Sequence, residues 1–263
     1  MRQRLRPITA LAATACAAAV LVGLAPAASA ASLDYAALGD SQASGLGAGS
    51  NISSSGDCKR SNNSYAARYA AEKKVQSFVF TACSGATTGS IAGQAARLNS
   101  GTDLVTVQVG GNDAGFSEVM LTCKTGSDSQ CGAALDAASH KINGLGGKLD
   151  QAYRAIRAKA PKARVVVVGY PRLFEVGACA NEMSEYKRSR LNSAADLLDN
   201  VTQGRASAAG FTFLDVRGTF AGHGVCSGSP WINGLRSPLE ESYHPNQAGH
   251  RDGFYRALRN VAG

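Results

Sequence analysis

Beyond its first thirty residues the chain has no second long apolar stretch, no Pro/Ser-rich linker and no internal repeat. A membrane-spanning helix needs about 20 consecutive apolar residues, so the remainder reads as soluble. Without a linker or repeat there is no seam at which to divide it. There is no Cys-x-x-Cys pair, which argues against a structural zinc site. Basic residues are scattered rather than bunched, with no interleaved aromatics, so no nucleic-acid groove is read. The Gly-x-Ser-x-Gly elbow of the α/β-hydrolases is also missing.

The first thirty residues read as a secretory signal peptide, 1–30. Arg2, Arg4 and Arg6 open it, the run from Ile8 to Leu24 is almost all Ala, Leu, Val and Thr, and Ala28-Ser29-Ala30 forms a small-residue cleavage site. Cys16 lies inside the apolar run without a Leu three positions earlier, so lipid attachment is not favoured. Residues 31–263 are then expected as a single domain, secreted and monomeric. Losing the three arginines lowers the net charge of +8 by three, a mild excess that suits transient contact with anionic lipid surfaces.

Six of the seven cysteines remain after cleavage, and an even number in an exported chain argues for three disulfides. Sequence permits about fifteen connectivities. Nearest-neighbour pairing is the simplest: Cys58–Cys83, Cys123–Cys131 and Cys179–Cys226.

Short apolar runs alternate with helical patterns. Strands are expected over Leu33–Leu38, Ser77–Thr81, Leu104–Val109, Arg164–Val168 and Phe211–Val216. Helices are expected over Ser61–Lys74 with Ser61 or Asn62 as cap, Thr88–Leu98, Ala133–Ala160, Ser184–Ala209 and after Pro245. Leu191, Ala194, Ala195, Leu198 and Val201 mark the buried stripe of the long helix. This alternation implies an α/β fold: a central parallel sheet of about five strands, with helices on both faces and the strand-to-helix loops on one edge.

Three of those loops carry unusual residues. Gly39-Asp40-Ser41 puts a serine directly after a buried strand, where it is either a helix cap or a projecting nucleophile. Cys83-Ser84-Gly85-Ala86 offers a backbone N–H at a glycine, with Ser84 a weak rival nucleophile. Gly110-Gly111-Asn112-Asp113 is either a tight turn or a platform for an amide donor at Asn112. A fourth segment, Glu241-Ser242-Tyr243-His244-Pro245, holds a His in a turn. Of the other histidines, His140 reads as helix surface, His250 as part of the last helix and His223 as a distant second choice of base.

Gly-Asp-Ser, then a loop Gly, then Gly-x-Asn-Asp, then His-Pro, in that order from Gly39 to His244, resembles the SGNH hydrolase superfamily, the GDSL esterases and lipases. The runs Gly56–Asn63 and Ala82–Ala86, and the Glu-Ser-Tyr-His-Pro end, are especially similar to its secreted Streptomyces-type lipases and phospholipases A1. The resemblance implies a flavodoxin-like three-layer α/β/α sandwich. It implies a serine ester hydrolase with Ser41 as nucleophile and His244 as base. Its oxyanion hole would be the Ser41 and Gly85 N–H groups with the Asn112 side chain, while Asp40 holds the loop. No metal or cofactor is implied.

Two departures from the family pattern stand out. Where the family has Asp three residues before the His, this chain has Glu241, so either the Glu241 carboxylate or a backbone carbonyl near Ser242 orients His244. Gln42 stands where relatives often carry an aromatic residue. The expected substrates are lipid or simple acyl esters. The alternatives are glycerophospholipids, with phospholipase A1 or lysophospholipase activity, and acetylated carbohydrates or polyketides. A non-catalytic binding protein is the remaining class. The acyl pocket is expected from the loops Leu46–Lys59 and Phe220–Leu239, with Trp231 either lining it or filling core. An ordinary His titrates near about 6.5, so activity is expected to rise from acid towards mildly alkaline pH.

Overall fold

Four consecutive valines make Arg164–Val168 (β4) a strand that is buried on both faces, as a parallel sheet covered on each side requires. In the computed structural model, which describes Arg4 and residues 33–180 and 182–263, it joins four other parallel strands. These are Asp34–Gly39 (β1), Ser77–Phe80 (β2), Leu104–Gln108 (β3) and Thr212–Leu214 (β5), in the order β2-β1-β3-β4-β5. The chain divides into Met1–Ala31 and Ser32–Gly263, and all five strands belong to the second unit. Apart from Arg4, the expected signal peptide lies outside the described residues, as does its cleavage site.

The side-chain period of two separates two apolar cores. Ala36, Leu38, Val105, Val107, Val165 and Val167 face one side, packed with Ile91 of Ile91–Ala95 and Leu149 and Ile156 of Gly146–Lys159. Tyr35, Ala37, Val166 and Val168 face the other, packed with Tyr65 and Tyr69 of Tyr65–Lys73 and Leu258 of Arg256–Ala262. The result is a three-layer α/β/α sandwich. In chain order its α-helices are Ser41–Ser44 (α1), Tyr65–Lys73 (α2), Ile91–Ala95 (α3), Phe116–Thr125 (α4), Asp128–Asn143 (α5), Gly146–Lys159 (α6), Glu185–Ala208 (α7), Arg217–Phe220 (α8) and Arg256–Ala262 (α9).

Several boundaries differ from expectation for local reasons. Helix α2 starts at Tyr65 because Ser64, not Ser61 or Asn62, accepts the Ala67 N–H at 3.1 Å. Ser61 instead braces a turn, donating to the Gly49 carbonyl and accepting from the Asn63 N–H. The run expected over Ala133–Ala160 is two helices, α5 and α6, parted at Gly144 and Leu145. Helix α5 starts earlier than expected, where Ser127 and Gln130 form a reciprocal capping box. Helix α4 has no counterpart among the expected elements. The segment Thr88–Leu98 holds a 3-10 turn at Thr88–Ser90 and then α3. In the stripe of α7, Leu191 and Leu198 are buried, whereas Ala194, Ala195 and Val201 are only partly so.

The cysteines pair as Cys58–Cys83, Cys123–Cys131 and Cys179–Cys226. The first closes a separation of 25 residues and ties the loop after β2 to the segment after α1. Replacing both Cys58 and Cys83 by Ser should cost about 3 kcal/mol of unfolding free energy, the scale of a loop closure of this size. A urea melt with an unchanged midpoint would contradict this.

Candidate active site

Strand β1 ends at Gly39, with φ +132°, and the chain turns there into α1. A Cβ at Gly39 would lie 2.2 Å from the Gln108 carbonyl oxygen, so only glycine lets the backbone pass this close to β3. Asp40 caps α1, its Oδ1 accepting the Gln42 N–H at 3.0 Å, while its Oδ2 accepts the Tyr170 hydroxyl. Burial pushes the Asp40 carboxyl up to about 7. This carboxylate holds the loop and does not touch His244.

Ser41 is the first residue of α1. Its Oγ lies 2.8 Å from His244 Nε2. His244 Nδ1 lies 3.1 Å from the Ser242 carbonyl, to which only an N–H can donate, so Nε2 is the lone-pair nitrogen that accepts the Ser41 O–H. That is the arrangement in which an imidazole can withdraw the hydroxyl proton as the oxygen attacks. Burial drives the His244 ring down to about 4, only partly offset by its bond to Ser242. The ring is therefore neutral, and able to accept a proton, well below the pH of an exposed histidine.

The Glu241 carboxylate does not reach the imidazole. Its Oε2 faces Arg236 Nε at 3.3 Å, and the residue's contribution comes through its backbone, whose carbonyl accepts the His244 N–H at 3.4 Å. The longer side chain, placed in a 3-10 turn at Leu239–Glu241, is directed to the arginine instead. Of the two expected partners for the base, the one positioned to orient it is the Ser242 carbonyl. Tyr243, next in the chain, has φ +60°, a left-handed conformation costly for a bulky residue. Packing of its ring on Phe174 and a bond from its hydroxyl to Glu182 hold it there.

Asn233 fastens this turn to the body. Its backbone exchanges bonds with His244 and Tyr243, and its Nδ2 donates to the Gly47 carbonyl at 3.1 Å. Nothing local in the sequence singles Asn233 out.

Gly85 is exposed with φ +79°, and a Cβ there would meet nothing within 4 Å, so it borders open space. The Cys83 N–H donates to the Gly39 carbonyl at 3.0 Å, which seats the Gly85 loop beside that of Ser41. Asn112 lines the same cleft as Ser41 and His244. One of its amide hydrogens goes to the Ala86 carbonyl at 2.9 Å, leaving the second to point elsewhere. Asp113 secures the same two loops, accepting the Thr88 N–H and hydroxyl. Among the described residues no group of three His, Cys, Asp or Glu side chains could hold a metal ion.

A cleft opens on Ser41, with about 710 Å³ of empty space when the open solvent at its mouth is included. Its walls are not the expected loops Leu46–Lys59 and Phe220–Leu239. They are helices: Phe116 and Val119 of α4, Leu135, Ala138 and Ile142 of α5, and Leu191, Ala194, Ala195 and Leu198 of α7. This explains why the α7 stripe is only half covered. Gln42 also borders the cleft. Trp231 does not; it packs edge-on against Phe220 and stacks on His223. His140 is exposed on α5, and His250 is buried with Nδ1 accepting the Tyr65 N–H.

Comparisons with known proteins bear on the family and the fold. The GDSL-like lipase/acylhydrolase family model matches residues 37–251. The chain is 50% identical over 231 residues to lipase 1 of Streptomyces coelicolor, covering 87% of this chain and 86% of the relative. The crystal structure of an extracellular lipase from Streptomyces rimosus superposes with a TM-score of 0.85 at 49% identity, covering 87% of this chain and 99% of that one. A phospholipase A1 from Streptomyces albidoflavus superposes with a TM-score of 0.85 at 44% identity, covering 88% and 99%.

Two outcomes are expected. If His244 is the base, kcat/KM on a neutral ester should fall on its acid side near pH 4 rather than 6.5, because a lowered value keeps the ring neutral down to that pH. A limb at or above 6.5 that persists in Asp40→Asn, where the second buried acid is removed, would contradict the effect of burial. Glu241→Gln should change kcat by less than about fivefold, the scale of a partly exposed ion pair, whereas His244→Ala should abolish turnover. Equal losses would return the orienting role to the carboxylate.

Proposed function

The chain belongs to the GDSL-like lipase/acylhydrolase family and is an ester hydrolase, and we propose that it is a secreted enzyme that cleaves lipid and simple acyl esters through an acyl-enzyme formed on Ser41. The observation that carries this reading is the 2.8 Å contact between Ser41 Oγ and the lone-pair nitrogen of a buried, neutral His244 at the mouth of an apolar cleft.

His244 takes the hydroxyl proton as Ser41 Oγ attacks the ester carbonyl carbon. The developing oxyanion rests on the Ser41 and Gly85 N–H groups and on the second amide hydrogen of Asn112. Collapse expels the alcohol, which leaves with the proton from His244. Water then attacks the acyl group by the same route, returning the acid and the free serine. The Ser242 carbonyl steadies the imidazolium formed in each step.

The cleft supports an acyl chain rather than an acetyl group. Leu135 to Ile142 and Leu191 to Leu198 each extend roughly 10 Å along their helices, at about 1.5 Å per residue. Each methylene that leaves water there gains about 0.8 kcal/mol, or roughly fourfold in affinity. The likeness to the phospholipase A1, together with the basic balance that remains once the three leader arginines are lost, favours glycerophospholipids as a second substrate class.

Ser41→Ala should abolish both turnover and labelling by a fluorophosphonate. Wild-type kcat/KM on nitrophenyl esters should climb with acyl length before it levels off. Retained turnover in Ser41→Ala would remove the nucleophile, and an optimum at acetate would replace the lipid reading with a deacetylase.

A further inference from the structure

Tyr170 follows β4 by two residues and lies buried between two of the loops that build the site. Its hydroxyl donates to Asp40 Oδ2, next to Ser41, and accepts the Gly111 N–H at 3.2 Å, next to Asn112. One phenol oxygen thus joins the loop of the proposed nucleophile to the loop of the proposed oxyanion donor. Burial and the neighbouring Asp40 raise the phenol far above its ordinary value, so it remains an O–H donor at any working pH.

The residue is itself gripped from behind. Its N–H donates at 2.8 Å to Oδ1 of Asp199, a fully buried side chain of α7. Gly169, just before it, has no room for a side chain, since a Cβ would lie 2.7 Å from Asp199 Oδ2. The Gly169 carbonyl accepts from the Gln108 amide at 2.8 Å, fixing the loop against the end of β3.

We propose that Tyr170 is a positioning residue for the oxyanion hole, holding the Gly111–Asn112 segment at a set distance from Ser41. The inference rests on the roles proposed for Ser41 and Asn112. Asn112 has a single amide hydrogen left for an oxyanion, because the other is bound to Ala86. The reach of that hydrogen depends on where its loop sits, and a misplacement of about 1 Å costs on the order of 100-fold in rate. Tyr170→Phe keeps the ring but leaves the Gly111 N–H unpaired and removes a donor from Asp40, so both loops lose their common tether.

The experiment is a double-mutant cycle of Tyr170→Phe and Asn112→Ala on a nitrophenyl ester, with rates normalised to active sites titrated by a fluorophosphonate. Tyr170→Phe should lower kcat by about 10- to 100-fold with KM nearly unchanged. Asn112→Ala should lower it by about 10²–10³. The double variant should fall within about threefold of Asn112→Ala alone, because Tyr170 acts through that side chain. An acyl trifluoromethyl ketone should bind Tyr170→Phe more weakly by the factor lost in kcat/KM. A fold defect alone would reduce titratable sites without moving either readout. Losses that multiply, or a Tyr170→Phe rate within about twofold of wild type, overturn the proposal. If Tyr170→Phe yields no titratable sites, the same cycle with Asp40→Asn decides. That variant keeps one acceptor oxygen for two donors, and multiplied losses there also overturn it. Turnover surviving in Ser41→Ala would instead remove the nucleophile, an outcome separate from any result of the cycle.

Discussion

The last residue of β1 is where the ends of three strands are locked together. Gly39 gives both of its backbone groups to the side chain of Gln94, its N–H to Oε1 at 2.7 Å and its carbonyl to Nε2 at 2.9 Å. The same carbonyl accepts the Cys83 N–H beyond β2, and the following Asp40 N–H donates to Gln108 at the end of β3. Ser41, Gly85 and Gly110 each stand two residues past one of these anchors. The relative placement of Ser41, the Gly85 loop and the asparagine loop is therefore inherited from one buried cluster in which a Cβ at Gly39 has no space. Gln94 serves this cluster from α3 and is itself buried, with its amide oxygen and one of its N–H groups both spent on Gly39.

The strand order makes that cluster the natural place for a ligand. In a sheet ordered β2-β1-β3-β4-β5, the connections leaving β1 and β3 run to opposite faces and open a crevice at the carboxyl ends of those two strands. Ser41 emerges from one and Asn112 from the other. The imidazole has no strand to carry it there. It comes from the far end of the chain on a turn held by Asn233 and by a strained Tyr243, and two of the hydrogen bonds that fix this turn join its backbone to that of Asn233.

What sequence makes legible is the part of the site in which neighbours in the chain are neighbours in space. Gly39 before Ser41, Gly85 itself, Gly110 and Gly111 before Asn112, and a proline after His244 leave local signatures because backbone turns are local. The five strands are legible for the same reason, since apolar runs and their period are properties of short segments. Gln94, Tyr170, Asp199 and Asn233 are supports that act across the fold, and an isolated polar residue in a helix or loop gives no sign of what it will meet. The walls of the cleft escape a sequence reading on that account. Leu191, Ala194, Ala195 and Leu198 form an ordinary buried stripe by periodicity, and only the packing of α5 beside α7 shows that the alanines border space. Glu241 is the misleading case, because a carboxylate three residues before a histidine carries the right chemistry but here meets an arginine first.

A carbonyl in place of a carboxylate behind His244 has a consequence for how it would work as the proposed base. A buried carboxylate beside His244 would favour the imidazolium strongly and would itself need several kcal/mol of compensation for leaving water. The Ser242 carbonyl fixes the same tautomer with no net charge, so burial dominates and the ring is held near about 4. A base that weak does not ionise the serine in the ground state, and the Ser41 proton remains on oxygen until the ester carbonyl is attacked. In the proposed reaction, the driving force for proton transfer must then come from charge developing on the oxyanion, stabilised by donors already in place. This shifts the burden from the pair behind the histidine to the loops in front of the serine. It also gives a reason for a site with a single neutral acceptor at His244 to brace Asn112 and Ser41 so heavily, through Asp113, Ala86, Gln94 and Tyr170.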